Sequence, residues 1–108
     1  MMNWTTVCKL QDIVPGTGVC ALVGDNQVAI FRPNSSEQVY AIDNIDPFFQ
    51  ASVLSRGLIV EHQGKLWVAS PLKKQRFGLS DGVCMENIDH SVRSYPARVH
   101  QGQVEVAY

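Results

Sequence analysis

Apolar and polar residues change places every second position along much of this chain, which is the period of a strand with one face buried. Near the C-terminus Tyr95, Ala97 and Val99 alternate with Pro96, Arg98 and His100, and Val104 and Val106 alternate with Gln103 and Glu105. Gln101-Gly102 between them predicts a tight reversal. The same signals predict a hairpin of residues 18–23 and 27–32 around Gly24-Asp25-Asn26, and another of 58–62 and 65–69 around Gln63-Gly64. A strand over 38–42 follows the polar turn at 34–37, and one over 76–79 runs into Ser80-Asp81-Gly82. Gly57, Gly64 and Gly82 are expected at turns that need a positive φ. No segment sustains a 3.6-residue period, although 11–14 and 46–55 each have room for one helical turn. Turn signals at short intervals, with no repeat or linker, predict an all-β fold of antiparallel sheets, a sandwich or barrel, in a single domain over 1–108.

Composition narrows the picture. A chain of 108 residues, 45% hydrophobic and 18% charged, can bury a core of its own. A net charge of −1 gives no general attraction to nucleic acid or anionic lipid. The apolar runs are too short to span a bilayer, and the N-terminus lacks a basic segment leading into an apolar one, so no secretory signal is expected. Cys8, Cys20 and Cys84 are odd in number and irregular in spacing, which suits a reducing cytoplasm rather than a disulfide framework. These cysteines are expected to be small buried hydrophobes, and His62, His90 and His100 surface groups; neither set has metal-ligand spacing. Trp4 and Trp67 are expected in the core or at a barrel rim. No nucleophile–base pair emerges, so no catalytic residue is expected.

Two stretches carry the chemical interest: Asp46-Pro47-Phe48 and Ser70-Pro71-Leu72-Lys73. Each keeps the proline and spacing of a Rieske ligand loop, Cys-Pro-His and Cys-Pro-x-His, while all four ligand positions hold another residue. With their flanks, Val39-Tyr40-Ala41-Ile42-Asp43-Asn44, Leu54-Ser55-Arg56-Gly57-Leu58-Ile59 and Arg76-Phe77-Gly78-Leu79, they resemble a Rieske-like domain, and specifically the small-subunit family of NADH-dependent nitrite reductases. The resemblance runs through nearly the whole chain. It implies a Rieske-like (ISP-type) fold whose two loops meet at a vacated cluster site, a cytoplasmic location, and a large catalytic subunit as partner. That partner would carry FAD, sirohaem and an iron–sulfur cluster, and reduce nitrite to ammonium with NADH in nitrate and nitrite assimilation. The interval between the loops is a few residues longer than in cluster-bearing ferredoxins.

A [2Fe–2S] Rieske centre needs two thiolates and two neutral imidazoles. Phe48 has no lone pair to offer, Ser70 a hard, weakly acidic oxygen, and Lys73 must first lose a proton. Asp46 alone is a credible ligand, so no metal or cofactor is expected on this chain. Two replacements for the missing metal link are open: Phe48 filling the space, and an ion pair between Asp46 and Lys73. The tip then becomes a docking surface, with Phe48 and Phe49 as anchors and Arg56, Lys73, Lys74 and Arg76 as a basic rim. Two alternatives stand beside the accessory-subunit reading. One is an electron carrier of the Rieske ferredoxin type; the other is a small β-barrel that stacks single-stranded nucleic acid on Phe31 and Phe77 beside Arg32, Lys73, Lys74 and Arg76.

Overall fold

The computed structural model describes residues 2–108. In chain order its strands are β1 (Trp4–Lys9), β2 (Thr17–Val23), β3 (Asn26–Arg32), β4 (Tyr40–Asp43), β5 (Ile45–Asp46), β6 (Ala51–Ser52), β7 (Leu58–His62), β8 (Lys65–Ala69), β9 (Arg76–Gly78), β10 (Ser94–Tyr95), β11 (Ala97–His100) and β12 (Gln103–Ala107). They form three antiparallel sheets, in the orders β1-β12-β11, β10-β4-β3-β2 and β7-β8-β9, together with the small β5-β6 ribbon. The all-β expectation is met. Among the described residues no helix is long and apolar enough to cross a membrane.

The β10-β4-β3-β2 sheet is the middle layer, and this explains one departure from simple alternation. On one face Val28, Ile30 and Ala41 join Val104, Val106 and Tyr95 in a first core. On the other, Ala29, Phe31 and Ile42 join Leu54, Val68, Phe77 and Leu79 in a second. Residues 28–31 are therefore an unbroken apolar run with both faces covered, each side chain 0% exposed. The expectation of one buried face per strand fails at β3 for this reason. Burying Phe31 and Phe77 completely contributes roughly 2–3 kcal/mol each.

The turns follow their residues. Gln63 and Gly64 have φ of 53° and 77°, and Gln101 and Gly102 have 52° and 76°, the pair of positive values that a two-residue type I′ hairpin requires. The first hairpin is tighter than its sequence suggests: Val23 pairs with Asn26, so Gly24-Asp25 alone makes the turn. Gly57 corrects a further expectation, because its φ is −72°. It is glycine because a Cβ there would collide with the Ala69 carbonyl and the Val68 side chain. Single 3₁₀ turns occupy Leu10–Asp12, Leu54–Arg56 and Ile88–His90. The last had no sequence signal beyond Asn87, whose side chain accepts from the Asp89 N–H at 3.1 Å.

Candidate functional site

Asp46 closes β5 and Ser70 follows β8, so the two motif loops are hairpin connections, one within β5–β6 and one between β8 and β9. Each loop is built alike. The anchor residue is followed by proline, and its side chain accepts from the N–H two positions on: Phe48 N to Asp46 Oδ1 at 2.8 Å, Leu72 N to Ser70 Oγ at 3.4 Å. Its carbonyl then accepts from the N–H four positions on, Gln50 to Asp46 at 2.8 Å and Lys74 to Ser70 at 3.0 Å. Gln50 and Lys74 take φ of 53° and 63° to close these turns. The anchors meet: Ser70 Oγ donates to Asp46 Oδ2 at 2.6 Å, with Asp46 0% and Ser70 1% exposed. That length is in the short range of hydroxyl–carboxylate bonds.

Buried Asn44 sets the entry to the first loop. Its Oδ1 accepts from Ser55 N–H at 2.8 Å and its carbonyl from the N–H groups of Val53 and Leu54 at 3.1 and 3.0 Å. The loop is thereby tied to the 3₁₀ turn that holds Arg56. Sequence reasoning quoted Asn44 only as a flank; a polar residue ending an apolar run was the available signal.

The structure brings Asp46, Phe48 and Ser70 together but gives Lys73 another place. No ion pair joins Lys73 to Asp46 among the described residues. The carboxylate faces inward to Ser70 while Lys73, at the third position of its turn, points to solvent. The Asp46–Lys73 pairing is thus replaced by a hydrogen bond that needs no charge at the surface. Phe48 is half-buried and packs against the second core, 6.4 Å from the Phe77 ring. It also stacks on His90 at 4.5 Å and 9°, so His90 is not the free surface group expected.

The basic rim is smaller than four cations. Arg76 Nε binds Glu86 Oε2 at 2.7 Å, and Glu86 Oε1 also accepts from the Arg76 N–H at 2.7 Å. Burial pushes the Glu86 carboxyl up, but the Arg76 N–H groups and charge outweigh it and hold the group below its ordinary value. Glu86 was missed for want of any local motif. Arg56, Lys73 and Lys74 remain exposed and form no ion pair among the described residues. Phe49 in the first loop and Leu72 in the second are 44% and 43% exposed; Leu72 joins the candidate tip, where the sequence had singled out only its neighbours.

These residues do not make a Rieske ligand set. Both oxygens of Asp46 already accept hydrogen bonds, the Ser70 hydroxyl is buried and donated, Phe48 offers no lone pair, and Lys73 is an exposed residue. No group of three His, Cys, Asp or Glu side chains converges on a metal-sized site among the described residues. Cys84 is buried as expected, Cys8 half so; Cys20 is an exposed residue, its sulfur accepting from Asn44 Nδ2 at 3.3 Å. Burial raises the thiols of Cys8 and Cys20, with Asp12 adding to the first, which makes them poor nucleophiles. Phe31 and Phe77 are 0% exposed and cannot stack on bases, so the nucleic-acid alternative loses its aromatic platform. Trp67 is buried and Trp4 half-buried, as expected.

Comparison with known proteins bears on the family and the fold. The sequence profile of the Rieske-like [2Fe-2S] domain matches residues 3–107. The nitrite reductase (NADH) small subunit of Salmonella typhimurium is 69% identical over 106 residues, 98% of each chain. A segment of the Klebsiella oxytoca nitrite reductase [NAD(P)H] large subunit is 42% identical over 103 residues, covering 95% of this chain and 11% of that one. Among solved structures, the NMR structure of Escherichia coli NirD superposes with a TM-score of 0.94 at 67% identity, covering 100% of this chain and 98% of that one. The ferredoxin of carbazole 1,9a-dioxygenase from Nocardioides aromaticivorans gives 0.80 at 27% identity, with 97% of each chain covered. The chain belongs to the Rieske-like domain family and, within it, to the small subunits of NADH nitrite reductase.

Proposed function

We propose that this chain serves the large subunit of a cytoplasmic NADH nitrite reductase as a docked, cluster-free accessory domain. Asp46, Phe48, Ser70 and Lys73 take the places of the cluster ligands. The large subunit holds FAD, sirohaem and an iron–sulfur cluster and carries out the reduction of nitrite to ammonium; this chain moves no electrons. The observation that carries the reading is the tip itself. Two loops locked by a buried hydrogen bond hold Phe49 and Leu72 out to solvent, with Lys73 and Lys74 exposed next to Leu72 in the second loop and Arg56 exposed in the turn tied to the first. Exposed apolar side chains on a rigid platform with a cationic rim have the make-up of an interface whose centre is apolar and whose edge steers encounter.

The Klebsiella relative supports a partnership of this kind. There a domain 42% identical to this chain lies within the large-subunit polypeptide, which fixes the two at high effective concentration. A separate chain must reach the same contact by affinity alone, through a dedicated surface. The experiment is reconstitution. Purified chain, free of iron and sulfide, should restore NADH-dependent nitrite reduction to a large subunit prepared without it. Phe49→Ser combined with Lys73→Glu should raise the concentration needed for half-restoration. A chain that restores activity only when it carries iron, or a double variant that titrates like the wild type, would overturn the proposal.

A further inference from the structure

Beside the tip lies a second surface that shares Arg56 and Lys74 with it. Among the described residues strand β7 is an edge of its sheet, paired with β8 alone. Its hairpin fixes which backbone groups are spoken for. With a two-residue Gln63-Gly64 turn, His62 and Lys65 form the first hydrogen-bonded pair, and Val60–Trp67 and Leu58–Ala69 follow in register. The N–H and C=O groups of Ile59 and Glu61 therefore point away from β8. Bonds on the far side of β8 agree: the Leu66 carbonyl accepts from Leu79 N–H at 3.1 Å and Ser70 N–H donates to Gln75 at 2.9 Å, both directed toward β9.

The other edge of this sheet is closed. Gly78 N–H donates to Val83 and Met85 N–H to Arg76, each at 2.9 Å, so residues 83–85 cover β9. Among the described residues β7 has no such cover, and it contains no proline, lysine or bulge of the kind that protects an edge. Leu58 on it is 69% exposed. Over the face of the sheet next to that edge lies a groove of about 560 Å3, lined by Leu58 and Val60 of β7, Ala69 of β8 and Arg76 of β9, together with Arg56 and Lys74. Arg76 is matched by Glu86, whereas Arg56 and Lys74 have no carboxylate partner among the described residues, and Glu61 is the acidic residue of the lining. Pro71 and Lys74 belong to both the groove and the second tip loop, so the two surfaces are continuous.

We infer that the free edge of β7 and the groove beside it take an extended acidic segment of the large subunit, added to the sheet as a fourth strand. The inference rests on the docking reading and names a second contact within it. Main-chain bonds to Ile59 and Glu61 hold the segment, its alternate side chains enter over Leu58 and Val60, and its carboxylates meet Arg56 and Lys74. An extended segment fits where a helix would not, because only an extended backbone matches the spacing of the outward groups.

The decisive measurement is residue-resolved amide exchange of the chain, free and in complex with the large subunit. In the free chain Ile59 and Glu61 should exchange fast while Val60, bonded to β8, is protected. In the complex the rates at Ile59 and Glu61 should fall by at least about tenfold. Glu61→Pro removes an outward N–H without touching the β8 ladder; it should weaken the complex by roughly tenfold while Glu61→Gln binds as the wild type. Should Glu61→Pro fail to fold, Leu58→Glu, a change at an exposed groove residue outside the tip, should weaken the complex in the same affinity measurement. Unchanged exchange at Ile59 and Glu61 on binding overturns the inference. So does the same protection arising in the isolated chain through pairing of two copies. If Phe49→Ser weakens the complex while β7 stays unprotected, tip docking stands and the groove contact alone falls. If the wild-type chain does not bind the large subunit, both fall.

Discussion

The hydroxyl of Ser70 and the carboxyl of Asp46 lie 2.6 Å apart inside the protein, 24 residues distant in sequence, and link the two loops directly. The link is one hydrogen bond plus a network of turns on either side, so its loss should be felt at both loops together.

Ser70→Ala leaves Asp46 Oδ2 buried with no donor, which costs about 1–3 kcal/mol. Asp46→Ala should cost more, since it also strips Phe48 N–H of its acceptor at 2.8 Å. Asp46→Asn keeps an oxygen for Phe48 and offers an N–H to Ser70, so it should be the mildest of the three. Urea midpoints order the set. Equal midpoints for all three would show that the bond does not hold the loops.

Phe48 stacks on His90 and packs toward Phe77, whereas Lys73 is exposed and forms no ion pair among the described residues. Phe48→Ala should therefore destabilise by roughly 2 kcal/mol and speed amide exchange in residues 46–50 and 86–90. Lys73→Ala should stay within about 0.5 kcal/mol of the parent chain. Similar exchange rates in the two variants would contradict this ordering.

Gly57 permits β7 to start directly against Ala69. Gly57→Ala needs no unusual backbone angle, since φ is −72°, but places a Cβ on the Ala69 carbonyl and the Val68 methyl. The strand must shift to relieve that contact, so a loss of about 1–3 kcal/mol is expected, the range for overpacking a tight site. Thermal unfolding measures it; a variant as stable as the parent would mean that β7 moves freely.

Much of this architecture is legible in the residues alone because hairpins are written locally. Gln63-Gly64 and Gln101-Gly102 announce their turns, and alternation in β11 and β12 announces which side faces in. The motif prolines likewise mark both tip loops. What escapes is whatever depends on a partner distant in sequence. Residues 28–31 read as an ordinary strand until sheets close over both faces. Asp46 has two candidate partners near the tip, and only the inward turn of its side chain selects Ser70 over Lys73. Arg76 reads as a free cation because Glu86, 10 residues on, reaches it through a loop with no periodic signal. Gly57 is a steric necessity imposed by a neighbouring strand, which no turn rule describes.

Tyr95 ties β10 to β4 by donating its hydroxyl to Asp43 Oδ1 at 2.6 Å, while the Arg93 guanidinium lies over its ring at 4.5 Å. Burial, then the hydrogen bond and charge of Asp43, push the phenol up to about 12 against the opposing pull of Arg93. An unfolded tyrosine ionises near 10. Below about pH 10 both states keep the proton and the bond contributes fully. Between about pH 10 and about pH 12 the unfolded phenol releases its proton first, so the unfolded state binds fewer protons and stability falls as pH rises. Tyr95→Phe has no such proton to lose. At neutral pH it should be less stable by about 1–2 kcal/mol, with Asp43 giving up its best donor. The gap between the two proteins should then narrow as the pH is raised through that window. Denaturant midpoints of both at about pH 8 and about pH 11 test the sign, and a constant gap would mean that the Tyr95–Asp43 bond does not raise the phenol.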